Sequence, residues 1–343
     1  MILFVTGGAG FIGSNFINNL FNEYKNNNLG KEFDNLEIIN FDALYYCADE
    51  NNVLQEIRNN NNNNNNNTEK LSEERYFNYS FIHGNLQSYD LLKYIFESNK
   101  ITHIIHFAAQ SHVQNSFTDA LQYTKDNVLG THNLLEVTRL YCSTLEKFIH
   151  VSTDEVYGES MILKDELCKT EQSVLCPTNP YAASKAAAEM LVQSYNHSFN
   201  MPIIITRGNN VYGPNQYPEK VIPRFIQQLK AGKKVTIQGD GSCVRAFLHA
   251  EDTANAFIKI LENGKIGEIY NIGCDENMEY SMMEVATILI QKIKGEEAVI
   301  EDWIEYIEDR PFNDQRYYIS NAKLKELGWE IQVGFEEGID RLI

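Results

Sequence analysis

Short apolar runs alternate with longer amphipathic segments over the N-terminal part of the chain. Such runs, bounded by turn residues, are typical of strands that are buried on both faces of a parallel sheet. The predicted strands are residues 2–6, 36–41, 76–83, 101–107, 148–152 and 203–206. The predicted helices between them include residues 14–24, 124–141 and 181–199. This alternation of strand and helix predicts an α/β fold with a doubly wound parallel sheet.

The pattern loosens after residue 206, where turn signals cluster at 213–214, 217–218 and 239–241. We therefore predict two units, residues 1–206 forming the sheet domain and residues 207–343 forming a smaller substrate-binding lobe. The apolar run Ile269–Ile272 resembles one more buried strand. Residues of about 267–273 are therefore predicted to return to the sheet, which makes the two units interleave.

An uninterrupted run of asparagines at residues 59–67 breaks this pattern. Low-complexity polar sequence cannot bury enough apolar surface to offset the entropy of ordering it. We predict a disordered surface insertion at about residues 58–74.

Composition and charge narrow the classes of function. The 343 residues carry a formal charge of −18, which argues against nucleic acid as a partner because phosphate binding needs clustered Lys and Arg. No apolar run approaches the ~20 residues of a membrane span, and no secretory signal is expected. The six scattered cysteines predict reduced thiols in a cytosolic protein rather than a metal site or a disulfide framework.

A glycine-rich loop, Gly8-x-Gly10-x-x-Gly13, follows the first predicted strand and precedes a predicted helix. Glycines let the backbone approach a pyrophosphate, and the positive end of the helix favours its charge. Asp42 ends the second predicted strand, where a carboxylate accepts hydrogen bonds from a ribose and repels a 2′-phosphate. The sequence therefore predicts a Rossmann site that binds NAD rather than NADP.

Chemically active side chains follow the fifth predicted strand, in Ser152-Thr153-Asp154-Glu155-Val156-Tyr157-Gly158. Chemistry in open α/β sheets occurs at the carboxyl ends of the strands. Downstream, Tyr181 and Lys185 lie one helical turn apart, although Tyr89 and Lys93 have the same spacing. A free tyrosine has a pKa of about 10, and the Lys185 cation together with the positive nicotinamide ring can lower the pKa of Tyr181 enough for it to act as a base.

These motifs together resemble the extended short-chain dehydrogenase/reductase family. The 152–158 segment is similar to the nucleotide-sugar 4,6-dehydratases, because epimerases of this fold usually lack the Asp-Glu pair. Residues 207–216 and 310–317 are most similar to the UDP-glucose 4,6-dehydratase module of plant-type UDP-rhamnose synthases, and the dTDP-glucose enzymes are similar but less close. The resemblance covers residues 2 to about 329.

The resemblance implies the following chemistry. Tyr181 takes the proton of the sugar 4-hydroxyl while NAD accepts hydride from C4, and Thr153 hydrogen-bonds that hydroxyl. Glu155 then removes the C5 proton, and Asp154, kept protonated, protonates the leaving C6 hydroxyl. Adjacent carboxylates can take these roles only if their environments separate their pKa values.

The resemblance also implies two sets of binding residues. The cofactor set is Gly7, Gly10, Phe11, Ile12, Gly13, Asp42, Asn85, Leu86, Ala108, Ala109, Tyr181 and Lys185. The substrate set is Ser111, Thr153, Asn210, Lys220, Val221, Arg245, Asn271 and Arg310, in which the cations clamp the pyrophosphate. Asn85 and Gln114 stand where the family often has Asp. We expect no metal, a homodimer paired through residues 124–141 and 181–199, and UDP-glucose or dTDP-glucose as substrate.

Two other functions fit the same fold. A nucleotide-sugar 4-epimerase shares the first oxidation but has no use for a C5 base and a C6 acid, so Asp154 and Glu155 weigh against it. A cofactor-sensing binding protein tends to lose the catalytic Tyr or Lys, and both Tyr181 and Lys185 are present.

Overall fold

A computed structural model describes residues 1–60, 75–160, 167–309 and 312–343. The strands in these ranges are β1 Ile2–Thr6, β2 Asn35–Asp42, β3 Tyr76–His83, β4 His103–His106, β5 Lys147–Thr153, β6 Ile203–Gly208, β7 Asn210–Tyr212, β8 Val235–Gln238, β9 Val244–His249, β10 Ile269–Ile272, β11 Glu279–Ser281 and β12 Ile304–Ile307.

The α-helices in the same ranges are α1 Phe11–Lys25, α2 Gln55–Asn59, α3 Tyr89–Ser98, α4 Val113–Thr118, α5 Ala120–Tyr123, α6 Gly130–Tyr141, α7 Pro180–Phe199, α8 Val221–Lys230, α9 Ala250–Asn263, α10 Met282–Lys294, α11 Ala322–Lys325 and α12 Phe335–Asp340. A π-helical segment, Thr124–Leu129, connects α5 to α6. A 3₁₀ turn, Asp154–Tyr157, follows β5 directly. None of the described helices is both long and apolar enough to cross a membrane.

Seven parallel strands form the central sheet in the order β10-β6-β5-β4-β1-β2-β3. The chain starts in the interior at β1, builds outward to β3, and then crosses back through β4 to β6. This reversal places the ends of β1 and β4 side by side, which is the switch point where doubly wound sheets bind ligands. The predicted doubly wound parallel sheet is confirmed.

Helices cover both faces of the sheet. On one face α1 and α9 pack together, with Phe16 and Phe257 in a common apolar cluster. On the other face α3, α6 and α7 bury Leu92, Leu134 and Val192 against the strands. The strands are therefore apolar on both sides, and this explains why they read as continuous apolar runs in the sequence.

The sequence after Gly208 contributes to two layers of the molecule. Strand β10 extends the central sheet beside β6, and α9 packs on α1. Helix α11 packs on β10, and most of the remaining elements build a separate cluster in which Phe225, Leu289 and Phe335 are buried around the sheets β11-β9-β7 and β12-β8. This lobe is interleaved with the sheet domain through β10 and α9.

A buried ion pair fastens α7 to the sheet. Arg207 in β6 donates two hydrogen bonds to Glu189 Oε2, at 3.1 Å from Nε and 2.7 Å from Nη2. Both side chains are almost fully buried, and a third bond links Arg207 to the Tyr157 hydroxyl. Removing one partner of such a pair typically costs about 3–5 kcal/mol, because the other charge is left buried and uncompensated.

The predicted insertion at 58–74 begins inside an ordered element. Residues 55–59 form α2, and the Asn60 carbonyl accepts a hydrogen bond of 3.0 Å from the Tyr79 amide. The predicted boundary at residue 58 is therefore wrong, because local helix and strand contacts continue through Asn60. The rest of the predicted insertion, residues 61–74, lies outside the described residues.

Candidate active site

The glycine loop between β1 and α1 is shaped for close approach by a ligand. Gly7 has a φ of +73°, and a Cβ there would come within 2.6 Å of the Ala108 amide nitrogen. Gly10 is the N-cap of α1 and supplies no side-chain hydrogen bond to the first turn. A Cβ on Gly10 would meet only the Gly7 carbonyl within 4 Å, at 3.3 Å. Among the described residues no side chain caps the N–H groups at the start of α1, and this end of the helix lines a cleft.

Asp42 ties this loop to the end of β2. Its Oδ2 accepts a hydrogen bond of 2.9 Å from the Ala9 amide, and its Oδ1 accepts one of 2.8 Å from the Leu44 amide. Asp42 lines the same cleft as Gly7, Gly10 and Gly13. Burial is the main factor that raises the pKa of Asp42, and these backbone amides oppose it.

The other predicted cofactor residues line this part of the cleft as well. They are Phe11, Ile12, Asn85, Leu86, Ala108, Ala109, Tyr181 and Lys185. Asn85 donates 2.8 Å to the Tyr45 hydroxyl, and its Oδ1 accepts 2.8 Å from the Gln87 amide. An amide oxygen has two lone pairs, so Asn85 keeps one acceptor position for a further donor.

These residues fit a dinucleotide. The open helix start and the space over Gly10 suit a pyrophosphate, and Asp42 offers a carboxylate at the strand end where the ribose of a dinucleotide lies.

Tyr181 and Lys185 lie on one face of α7 at the centre of the cleft. Both side chains are buried, and Lys185 Nζ donates 2.6 Å to the Val151 carbonyl in β5. Burial lowers the pKa of Lys185 to about 8.

The surroundings of Tyr181 raise its phenolic pKa. Burial is the largest cause, the Glu155 carboxylate is the second, and a hydrogen bond with Thr153 acts in the opposite direction. The prediction that Lys185 lowers the pKa of Tyr181 finds no support here, because Lys185 is bonded to a backbone carbonyl instead. A lowered pKa then requires the positive charge of a bound nicotinamide ring.

The three predicted polar residues after β5 occupy one short stretch of backbone. Thr153 Oγ1 donates 3.1 Å to Asp154 Oδ1 and accepts 3.3 Å from the Glu155 amide. Asp154 is 1% exposed, whereas Thr153 and Glu155 line the cleft with Tyr181. Asp154 is thus one hydrogen bond away from the cleft, through Thr153.

The two adjacent carboxyl groups have different partners. Burial and the Glu155 charge raise the pKa of Asp154 to about 7, although the bond of 2.6 Å from Asn209 Nδ2 opposes this. Burial also raises the pKa of Glu155, and the bond of 3.0 Å from Asn179 Nδ2 opposes it. Arg245 and Lys220 further favour the charged form of Glu155, while Asp314 disfavours it. Asp154 therefore retains its proton close to neutral pH.

Some of the predicted substrate residues line the cleft and others do not. Ser111, Asn210, Lys220, Val221 and Arg245 line the cleft with Thr153. Lys220 Nζ donates 2.9 Å to the Ser111 carbonyl, and the Arg245 guanidinium lies 4.9 Å from the centre of the Tyr317 ring. Arg310 lies outside the described residues.

Asn271 requires a correction. It is fully buried in β10, its Oδ1 accepts 2.8 Å from the Tyr157 hydroxyl, and it does not line the described cleft. Its backbone amide is bonded to Glu171 Oε1 at 3.0 Å. The side-chain amide of Asn271 is therefore bonded to Tyr157 in the turn that follows β5 and does not face the cleft.

Four buried residues near the carboxylates were not predicted: Asn179, Asn209, Asp314 and Tyr317. Tyr317 donates a short hydrogen bond to Asp314 and lies 3.4 Å from Glu155 Oε2. Thr178 donates 2.8 Å and 2.9 Å to the two oxygens of Asp314. Asn179 carries a local signal, since Asn before Pro180 is typical of a helix start, whereas Asn209, Asp314 and Tyr317 lie in the segments 207–216 and 310–317, whose resemblance gave them no role.

The chain is similar to known proteins over almost its whole length. The family model described as GDP-mannose 4,6 dehydratase matches residues 42–342. The dTDP-D-glucose 4,6-dehydratase of Bos taurus is 45% identical over 341 residues, which cover 99% of this chain and 86% of that protein. A trifunctional UDP-glucose 4,6-dehydratase/UDP-4-keto-6-deoxy-D-glucose 3,5-epimerase/UDP-4-keto-L-rhamnose-reductase of Arabidopsis thaliana is 42% identical over 99% of this chain. The chain spans 46% of that protein.

Solved structures show the same architecture. The dTDP-glucose 4,6-dehydratase of Streptomyces venezuelae, crystallised with NAD bound, has a TM-score of 0.83 at 34% identity and covers 99% of this chain and 95% of its own. A Thermus thermophilus UDP-glucose 4-epimerase in complex with NAD has a TM-score of 0.81 at 30% identity, with 99% and 96% covered. The family match covers most of the sequence, and the relatives described above include 4,6-dehydratases that are covered over most of their own length. The chain therefore belongs to the GDP-mannose 4,6 dehydratase family, among the NAD-dependent nucleotide-sugar 4,6-dehydratases.

Proposed function

We propose that the protein converts UDP-glucose to UDP-4-keto-6-deoxy-glucose. Bound NAD supplies a hydride acceptor for C4 of the sugar and later a hydride donor for C6. All other chemistry falls to residues of the chain: proton removal at the 4-hydroxyl and at C5, proton delivery to the departing C6 hydroxyl, and return of a proton to C5 when the hydride is added at C6.

The observation that carries the proposal is the row Thr153-Asp154-Glu155 beside Tyr181. Glu155 lines the cleft and is its candidate base for C5, while Asp154 holds a proton with a pKa of about 7 and is the candidate acid. Tyr181 is the candidate base for the 4-hydroxyl, with Thr153 between it and the carboxyl groups. An oxidation without elimination needs neither Asp154 nor Glu155.

The cations of the cleft support a substrate that carries a nucleoside diphosphate, which stays attached to the sugar throughout the reaction. Lys220 and Arg245 line the cleft on the lobe side and favour the charged form of Glu155. Together with Arg310 they are proposed to hold the pyrophosphate, because Arg and Lys suit phosphate oxygens.

The choice of UDP-glucose over dTDP-glucose rests on residues 207–216 and 310–317, and relatives of both kinds have comparable identity. The test is to offer the purified protein each nucleotide sugar separately and to compare kcat/KM for the 4-keto-6-deoxy product. A higher kcat/KM with UDP-glucose supports the proposal. A higher kcat/KM with dTDP-glucose contradicts the proposed substrate and makes dTDP-glucose the substrate of the same reaction. Release of a 4-epimer without loss of water contradicts the dehydratase function altogether.

We also propose a cytosolic homodimer. All six cysteines are free thiols, which suits a reducing compartment. Leu129, Met190 and Phe199 are each about half exposed, at 48%, 50% and 49%, on or beside α6 and α7. Pairing of these helices with a second copy covers that surface, and sedimentation as a monomer at micromolar concentration contradicts it.

A further inference from the structure

Asn179 joins two parts of the site through a single side-chain amide. It is the N-cap of α7, where its Oδ1 accepts a hydrogen bond of 2.9 Å from the Ala182 amide. Its Nδ2 donates 3.0 Å to Glu155 Oε2. The side chain is 5% exposed, so both halves of this planar group are committed in the interior.

The position of this amide matters because α7 carries Tyr181, while Glu155 belongs to the turn after β5. The two elements are also joined on the other side, where Lys185 donates to the Val151 carbonyl. The hydrogen bond from Asn179, unlike that from Lys185, ends on a side chain that lines the cleft, the Glu155 carboxylate. It fixes the separation between the start of the helix with Tyr181 and the carboxylate of Glu155.

We propose that Asn179 is a positioning residue for the C5 proton transfer, holding Glu155 so that it and Tyr181 face the same sugar ring. The inference rests on the proposed function and assigns Asn179 no contact with substrate. Within the described residues the polar contacts of the Glu155 side chain are both at Oε2, which accepts from Asn179 and lies 3.4 Å from the Tyr317 hydroxyl, whose proton goes to Asp314. Oε1 is therefore the oxygen available to receive the proton.

Several charged and titratable groups face Glu155, and Asn179 is a neutral donor that does not titrate. The negative groups are Asp154 and Asp314, the positive groups are Arg245 and Lys220, and the hydroxyls are those of Tyr181 and Tyr317. The hydrogen bond from Asn179 lowers the pKa of Glu155 against burial. Its loss should raise that pKa and loosen the carboxylate at the same time.

Two substitutions separate this role from helix capping. Asn179→Ser retains an oxygen that caps α7 about as well as Asn, but it offers no second polar atom to span the gap to Glu155. Asn179→Ala removes both interactions. The holoenzyme variants are compared by melting temperature, by rate of sugar oxidation, by exchange of the C5 hydrogen with heavy water, and by the pH profile of elimination.

We expect Asn179→Ser to melt near the wild-type temperature and to oxidise the sugar normally, with C5 exchange slowed by about 10- to 100-fold, as for a misplaced catalytic group. The rising limb of its pH profile should move to higher pH, because Glu155 then needs a higher pH to lose its proton. Asn179→Ala should show the same exchange defect and also melt at a lower temperature. In a Glu155→Gln background, Asn179→Ser should cause no further loss.

A purely structural cap predicts the opposite pattern. Asn179→Ser would then match the wild type in exchange rate and pH profile, and only Asn179→Ala would be defective. That result overturns the inference and leaves the proposed function intact. If the wild-type protein makes no 4-keto-6-deoxy product, the proposed function itself fails, independently of Asn179.

Discussion

The half of the cleft around the glycine loop and the half around Glu155 are built in different ways. In the first half the segments named in the prediction each follow a parallel strand: Gly7 to Gly13 after β1, Asp42 at the end of β2, Asn85 after β3 and Ala108 after β4. In the second half a few residues of β5 and its turn meet Asn179, Asn209, Lys220, Arg245 and Asp314, which come from distant parts of the chain.

The difference shows what determines the positions of the lining side chains in each half of the cleft. In the first half the positions of the lining residues are determined by the sheet. Its register is fixed by the buried strands, so changes in the loops should move these residues little. The second half depends on individual hydrogen bonds between the sheet domain and the lobe. Substitutions should therefore have large effects in the second half and on α7, which serves both halves, and small effects in the first half.

The largest expected effect is that of Tyr181→Phe, because Tyr181 lines both halves of the cleft. The variant lacks the group that takes the 4-hydroxyl proton. We expect kcat to fall to the upper part of the range of about 10²–10⁴ that general acid–base groups contribute, with no reduced nicotinamide detected on adding substrate. Tyr89 provides a matched control, because it has the same spacing to Lys93 as Tyr181 has to Lys185 but does not line the cleft, and Tyr89→Phe should retain activity. Normal accumulation of reduced nicotinamide in Tyr181→Phe would remove Tyr181 from its assigned role.

A smaller loss is expected from Asp154→Asn. Because Asp154 has a pKa of about 7 in the folded protein, its acid form declines as the pH rises through 7. The wild-type rate of water elimination should fall over that interval, whereas the residual rate of Asp154→Asn, about 10² lower, should not follow it. A variant that keeps the same alkaline decline would show that another group is the acid.

The same substitution tests the energetic consequence of the buried acid. A carboxyl group whose pKa is raised on folding has no effect below its unfolded value of about 4, and it lowers stability progressively as the pH rises to its folded value. Asp154→Asn should therefore have a higher melting temperature than the wild type at pH 7, and the difference should vanish near pH 4. An equal difference at both pH values would contradict this account.

The smallest effect is expected in the first half, for Asn85→Asp. The new carboxylate can still accept from the Gln87 amide and offers a charged acceptor to the adenine amine. The affinity for NAD, measured by calorimetry, should rise by less than about 10-fold, since the nearby Asp126 opposes a second negative charge. Asn85→Ser serves as the control and should weaken binding slightly. A change beyond 10-fold in either direction would show that this half is not set mainly by the sheet.

The same contrast explains how much could be predicted from sequence. The sheet, its strand ends and the glycine loop are local patterns, so the positions of Gly10 and Asp42 could be predicted from periodicity and spacing, whereas the roles of Thr153 and Tyr181 were implied by the resemblance. Asp314 and Tyr317 could not, because their contacts with Glu155 depend on how the lobe packs on the sheet domain. Asn271 was misassigned for a related reason: its position in β10 near the cleft says nothing of its burial beneath Tyr157.

The most direct test of the assigned chemistry is the isotope content of C5 after turnover in heavy water. If Glu155 removes the C5 proton, wild-type protein must place deuterium at C5 of the 4-keto-6-deoxy product. Glu155→Gln, which keeps the size of the side chain, should oxidise the sugar and then stall with no deuterium at C5. Product that retains its original C5 hydrogen, or normal turnover by Glu155→Gln, would contradict the dehydratase account and favour a 4-epimerase on the same fold.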